Sequence, residues 1–203
     1  MTSCLRSLVA VGVVLGLAAG ASTRAQEGGA PLVENPLYKF WSSFKVGSTN
    51  VCQETTKLGD PSSKLWTPDG VADRRLTSKL VEINEKHAVV EVVVTEREFL
   101  GYVQAAPTRH IYPAKVRKQD LVQFFQESGA TTGEDTLKVE DKDMKVRTVA
   151  GTIKSPDGQE VEYKLWISDE VPGSIVKKMR TTRAKGEVIA ETTSTVVACK
   201  KAD

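Results

Sequence analysis

His87 and His110 are the only imidazoles in the 203-residue chain, so triad or zinc chemistry would have to run through one of them. A Ser–His–acid site needs the histidine within hydrogen-bond reach of a nucleophile and held by a carboxylate. His87 follows Lys86 at the start of a strand-like run, and His110 follows Arg109 in a Pro-flanked segment. Neither lies near a Gly-x-Ser-x-Gly elbow, which the chain lacks. Zinc takes three or four closely spaced His or Cys ligands, and two histidines with distant cysteines do not supply them. Asp135, Glu140, Asp141 and Asp143 include one Asp-x-Asp fragment without the glycine and closing glutamate of a calcium loop, and read as a solvated hairpin connection. Glu96 and Glu98 flank Arg97 and suit cross-strand pairing. There is no glycine loop for phosphate. Lys177, Lys178 and Arg180 read as the solvent face of a strand. The residues thus predict no catalytic set, no metal ligands and no cofactor, and point to a protein that is not an enzyme.

The N-terminus is built like an export signal. Arg6 precedes an apolar run from Leu8 to Ala19, too short to span a bilayer comfortably, and small residues allow cleavage after Ala21 or Ala25. Residues 1–25 are therefore expected to be a signal peptide and the mature protein to be periplasmic or extracellular. Nothing beyond Ala25 is apolar enough for a transmembrane anchor. Cys4 precedes the apolar run, which excludes it as a lipidated cysteine. The precursor carries 28 basic and 26 acidic residues. Arg6 and Arg24 are the only charges before Gln26, so cleavage after Ala25 leaves a formally neutral chain. That balance argues against a nucleic-acid partner. Cys52 and Cys199 remain, either as one disulfide or as two separate buried thiols.

The elements that must position any site are mostly strands. Residues 26–34 read as a flexible entry, and 35–203 as one domain. Asn35 and Pro36 suit a helix start, followed by Leu37, Phe40, Trp41 and Phe44 at helical spacing. Strands are predicted over 46–58, 75–83, 87–99, 111–116, 144–153, 159–168, 174–183 and 187–200, with turns at Pro68-Asp69-Gly70, Asn84-Glu85-Lys86, Pro156-Asp157-Gly158, Pro172-Gly173 and Lys185-Gly186. Leu121, Val122, Phe124 and Phe125 cluster before Gly129 and predict a second short helix. Most strands have one apolar and one polar face, as in a sheet wet on one side. The expected fold is mainly β (α+β): a curved antiparallel sheet or half-barrel covered by one or two short helices.

Three segments carry a resemblance: Gly133-Glu134-Asp135-Thr136-Leu137-Lys138-Val139, the hairpin from Trp166 to Lys177, and Phe44-Lys45-Val46-Gly47-Ser48. They look like uncharacterised exported bacterial β-rich proteins. The architecture resembles the half-barrel of the lipoprotein carriers LolA and LolB, in which a curved antiparallel sheet covered by helices holds an acyl chain. The resemblance implies a hydrophobic ligand and transfers no functional residue. The expected function is binding of a hydrophobic small molecule or lipid, with Phe40, Trp41, Phe44, Phe124 and Phe125 as lining candidates. The alternative is a structural or interaction module whose partner is an envelope protein.

Overall fold

Alternation of apolar and polar side chains is the local signal that becomes strand in the computed structural model, which describes residues 31–59, 71–98, 101–121, 130–154 and 158–203. The elements in chain order are β1 (Leu32–Glu34), α1 (Pro36–Ser42), β2 (Thr49–Leu58), β3 (Val71–Ile83), β4 (His87–Glu98), β5 (Gly101–Gln104), β6 (Thr108–Pro113), β7 (Lys115–Arg117), β8 (Thr131–Val139), β9 (Lys142–Lys154), β10 (Gln159–Ile167), β11 (Ile175–Ala184) and β12 (Glu187–Lys200). The expected signal peptide, the expected turns at Pro68-Asp69-Gly70 and Pro156-Asp157, and the part of the expected second helix that carries Phe124 and Phe125 lie outside the described residues.

A ten-stranded antiparallel sheet runs β5-β4-β3-β2-β12-β11-β10-β9-β8, with β6 continuing beside β5 along the same edge of β4. The mainly β, antiparallel class expected from the sequence is what forms. β1 pairs separately with β7, so the end of the expected flexible entry is ordered by a strand partner more than 80 residues away. The acidic stretch also differs from expectation. Asp135 lies within β8, opposite Val146, and Asp143 lies within β9. Only Glu140 and Asp141 form the connection, both at positive φ, giving a tight two-residue hairpin. The expected start of the second helix is a 3-10 turn at Lys118–Asp120.

The helix begins as its sequence dictates. The Asn35 side chain accepts a hydrogen bond from Leu37 N at 3.0 Å, and Pro36 occupies the first turn, where its missing N–H costs nothing. Asn35 Nδ2 also donates to Pro113 O at 2.8 Å, fastening the helix start to the end of β6. Across the sheet, Gly173 N donates to Phe40 O at 3.1 Å.

The sheet is strongly curved. Phe40 packs against a cluster built on β3 and β4 (Leu80, Ala88, Val90) and against another built on β10 (Tyr163, Leu165, Ile167). β3 and β10 are four positions apart in the strand order, about 19 Å in a flat sheet at ~4.8 Å per strand. One side chain reaches both only because the sheet bends around the helix. Register shifts in β3–β4, β2–β12, β11–β12 and β10–β11 supply local kinks for such bending. A third cluster joins Val139 of β8 to Val196 of β12, and Cys199 N donates to Glu140 Oε1 at 2.9 Å.

Of the two arrangements open to Cys52 and Cys199, the structure has the separate thiols. Val196 stands opposite Cys52 and Asn50 opposite Cys199. The two cysteines are thus diagonal rather than paired, at a spacing of roughly 7–8 Å, too wide for an unstrained bridge. Both pack against the third cluster as small apolar side chains. Burial pushes the Cys52 thiol up to about 11, although a hydrogen bond with Ser194 acts the other way.

Candidate functional site

The concave face is defined by the residues that share a side with Phe40's partners. Strand side chains alternate between faces, so directly paired residues on neighbouring strands fall on the same one. Starting from Leu165, the pairings run Val149, Leu165, Lys178, Ser194, Glu54, Arg74 and Glu96 across seven strands. The adjacent row runs Gly151, Tyr163, Arg180, Thr192, Thr56 and Ala72. A polar band therefore crosses the inner face between apolar flanks.

Glu54 is the hub of this band and is only 3% exposed. Its Oε1 accepts from Arg74 Nε at 2.7 Å and lies 2.5 Å from Arg74 Nη2, while its Oε2 lies 3.6 Å from Lys178 Nζ. Arg74 also reaches Glu96 at 4.0 Å. A carboxylate this deep requires such compensation, because burying an unpaired ion costs several kcal/mol. Arg74 and Lys178 thus face the two carboxylates of Glu54 and Glu96.

Arg180 stands beside this balanced cluster without a counter-ion. Among the described residues no carboxylate lies within ion-pair distance of it, and its Nε is buried without a hydrogen-bond partner. Its neighbours across the strands are the hydroxyl residues Thr192 and Tyr163. Thr192 and Thr182 are buried, and Thr192 Oγ1 lies 3.1 Å from Thr56 Oγ1. One hydroxyl proton serves that contact, and the other is left to donate elsewhere.

Lys178 and Arg180 correct the sequence reading of β11. They are not on its solvent face: their direct partners Leu165 and Tyr163 are buried on β10, whereas Met179 between them is exposed. Glu54 and Arg74 carried no sequence signal of a site, because the charges that make them a cluster come from β2, β3 and β11. The usable clue was the alternation itself, which puts Lys178, Arg180 and Thr182 on one side of β11.

The expected lining residues divide. Trp41 and Phe44 are buried in the β3–β4 cluster, where they act as core packing. Phe40 is partly exposed and bridges two clusters. The histidines are not brought together. His87 Nε2 lies 2.9 Å from Glu82 Oε1 in the β3–β4 turn region, and His110 stacks at 6.4 Å on Tyr112 in β6. Asp135 Oδ2 accepts from the Trp166 indole N–H at 3.0 Å, and this bond holds its carboxyl below the usual range. Lys164 and Lys177 stand over the same indole at 4.6 and 5.0 Å.

Among the described residues no helix is long and apolar enough to cross a membrane. No protein-family model matches the chain, and no curated protein matches it. Among solved structures, the chain is similar to a crystallised domain from Vibrio parahaemolyticus described as that of an outer membrane lipoprotein-sorting protein, over 77% of this chain and 85% of that one, at 9% identity and a TM-score of 0.23.

Proposed function

We propose that this protein binds a hydrophobic or amphipathic small molecule, such as a lipid, on the concave face of its sheet, and that it is a binding protein rather than an enzyme. One observation carries the reading: Leu76, Val92, Val94, Val149, Ile153 and Val161 lie on the inner side of a curved sheet, yet each stays partly exposed. Behind Ile153 and Val161 the opposite face of β9 and β10 carries polar groups, including the Arg183–Glu162 and Lys154–Glu160 pairs. Apolar surface inside a concavity gains free energy when a ligand covers it, at roughly 25 cal/mol per Å². An exported protein would meet such ligands in the cell envelope, in keeping with the leader expected over residues 1–25.

The test uses protein beginning at residue 26. Organic extraction followed by mass spectrometry should recover acyl lipid, and the uncharged dye N-phenylnaphthylamine should bind saturably with increased fluorescence. Recovery of no lipid together with no saturable dye binding would sink the proposal.

The alternative of an envelope interaction module is favoured by a different feature. Tyr102 and Val103 of β5 and Ile111 of β6 are exposed along one edge of the sheet. Unpaired edge strands can accept another strand. Co-purification of a stoichiometric envelope protein, lost on placing charges at Tyr102 and Ile111, would support this second reading.

A further inference from the structure

We propose that Arg180 is an anion-binding residue, which with Lys178 and the neighbouring threonine hydroxyls receives the carboxylate or phosphate group of the bound molecule. The proposal rests on the reading of the concave face as a ligand site and names the chemistry that site selects.

Three observations converge on it. First, Arg180 is on the inner face of a central strand and not at an edge, with β10 on one side and β12 on the other. Its Nε is buried without a partner, a state that a protein retains at a cost unless an acceptor arrives. Second, Arg180 is the cation left over, because Arg74 and Lys178 are matched by Glu54 and Glu96. Glu54 is already engaged by Arg74 and Lys178, so it is not an acceptor held in reserve for Arg180. Third, the space beside Arg180 is shaped by Gly151. A Cβ at Gly151 would sit 2.6 Å from the Tyr163 phenol oxygen and 2.9 Å from its Cζ. The Tyr163 ring thus lies over β9, away from β11 where Arg180 stands. On the other side Thr192 and Thr56 present hydroxyls and no carboxylate. A guanidinium with free planar donors, flanked by hydroxyls and apolar walls, suits an oxyanion at the end of an apolar chain.

The oxyanion could belong to an acyl chain or be a free ion, and the experiment separates them. Protein beginning at residue 26 is delipidated and titrated with dodecanoate, with dodecanol and with inorganic phosphate, in wild type and in Arg180→Met and Arg180→Lys. Displacement of N-phenylnaphthylamine reads the two chains, and calorimetry reads phosphate. Dodecanoate should bind about 10- to 100-fold more tightly than dodecanol, as expected for a charge-assisted hydrogen bond. R180M should erase that preference while leaving dodecanol binding unchanged, and R180K should keep part of it. Equal affinity for the two chains in wild type, or a preference that survives R180M, would overturn the anion assignment and leave the apolar site standing. If neither chain binds but phosphate does, in a manner lost in R180M, the anion site stands and the hydrophobic-ligand reading falls. Binding of none of the three overturns both. In urea, delipidated R180M should be at least as stable as wild type, because it removes a partly buried charge whose Nε has no partner. A clear loss of stability would assign Arg180 to the scaffold and overturn the proposal.

Discussion

Gly151 and Tyr163 stand directly opposite each other on β9 and β10, and the tyrosine ring occupies the space that a side chain at residue 151 would need. The glycine is therefore a packing partner. It lets a large ring lie flat on the inner face while the neighbouring strand keeps room for a long cationic side chain.

Gly151→Ala should destabilise the protein by about 1–3 kcal/mol, the usual cost of overpacking. Urea denaturation measures the loss. In a Tyr163→Ala background the same substitution should cost nothing or stabilise slightly, because alanine is the better strand residue once the ring is gone. Equal costs in the two backgrounds would disprove the coupling.

Glu54→Ala should cost about 3 kcal/mol or more, since it strands Arg74 and Lys178 around a buried position. Glu54→Leu combined with Arg74→Met should recover much of that loss, as apolar replacement of a whole pair commonly does. A single variant within 0.5 kcal/mol of wild type, a bound on the order of surface-substitution effects, would show that the pair is solvated.

Gly173 combines two constraints. Its φ is +80°, and a Cβ there would meet both Trp41 Cζ2 and Asn50 Nδ2 at 2.9 Å. Gly173→Ala should therefore cost about 2–4 kcal/mol and alter Trp41 fluorescence. Gly186 has a similar φ of +85° but open space around it. Gly186→Ala should cost only about 1–2 kcal/mol, the backbone part alone. Thermal melts of the two variants give the comparison, and equal shifts would refute the packing contribution.

The Cys52 thiol makes stability fall at alkaline pH. Its value in the folded chain, about 11, lies above its ordinary 9.0 because burial disfavours the thiolate. Its contribution is complete below pH 9 and is lost as pH rises towards 11, amounting to about 2–3 kcal/mol in all. Urea titrations at pH 8 and pH 10.5 should show a steeper loss for wild type than for Cys52→Ala. Parallel losses would rule out this thiol as a source. Denatured protein beginning at residue 26 should titrate with two free thiols and no reductant, matching the unbridged Cys52 and Cys199.

Much of the fold was legible because strands and caps are written locally. The odd positions Val161, Tyr163, Leu165 and Ile167 predict one apolar face of β10, and three of the four form a buried cluster. Ala88, Val90, Val92 and Val94 predict one apolar face of β4, and Ala88 and Val90 lie in the core. Asn35 and Pro36 predict the helix start that forms. β8 was missed because its run from Thr131 to Asp135 is polar and exposed, and its strand state rests on pairing with β9.

The sequence by itself determined that β11 alternates, with Lys178, Arg180 and Thr182 sharing a side, since a period of two needs no knowledge of distant residues. Only the tertiary structure decided that this side faces inward. That outcome depends on Leu165 and Tyr163 from β10, on Glu54 and Arg74 from β2 and β3, and on the bend that lets Phe40 touch both halves of the sheet. The local reading placed the lysine and arginine in water, where isolated charges are most stable. The fold places them inside because a carboxylate more than 100 residues earlier in the chain supplies the compensating charge for Lys178, and it leaves Arg180 with a donor still to be satisfied.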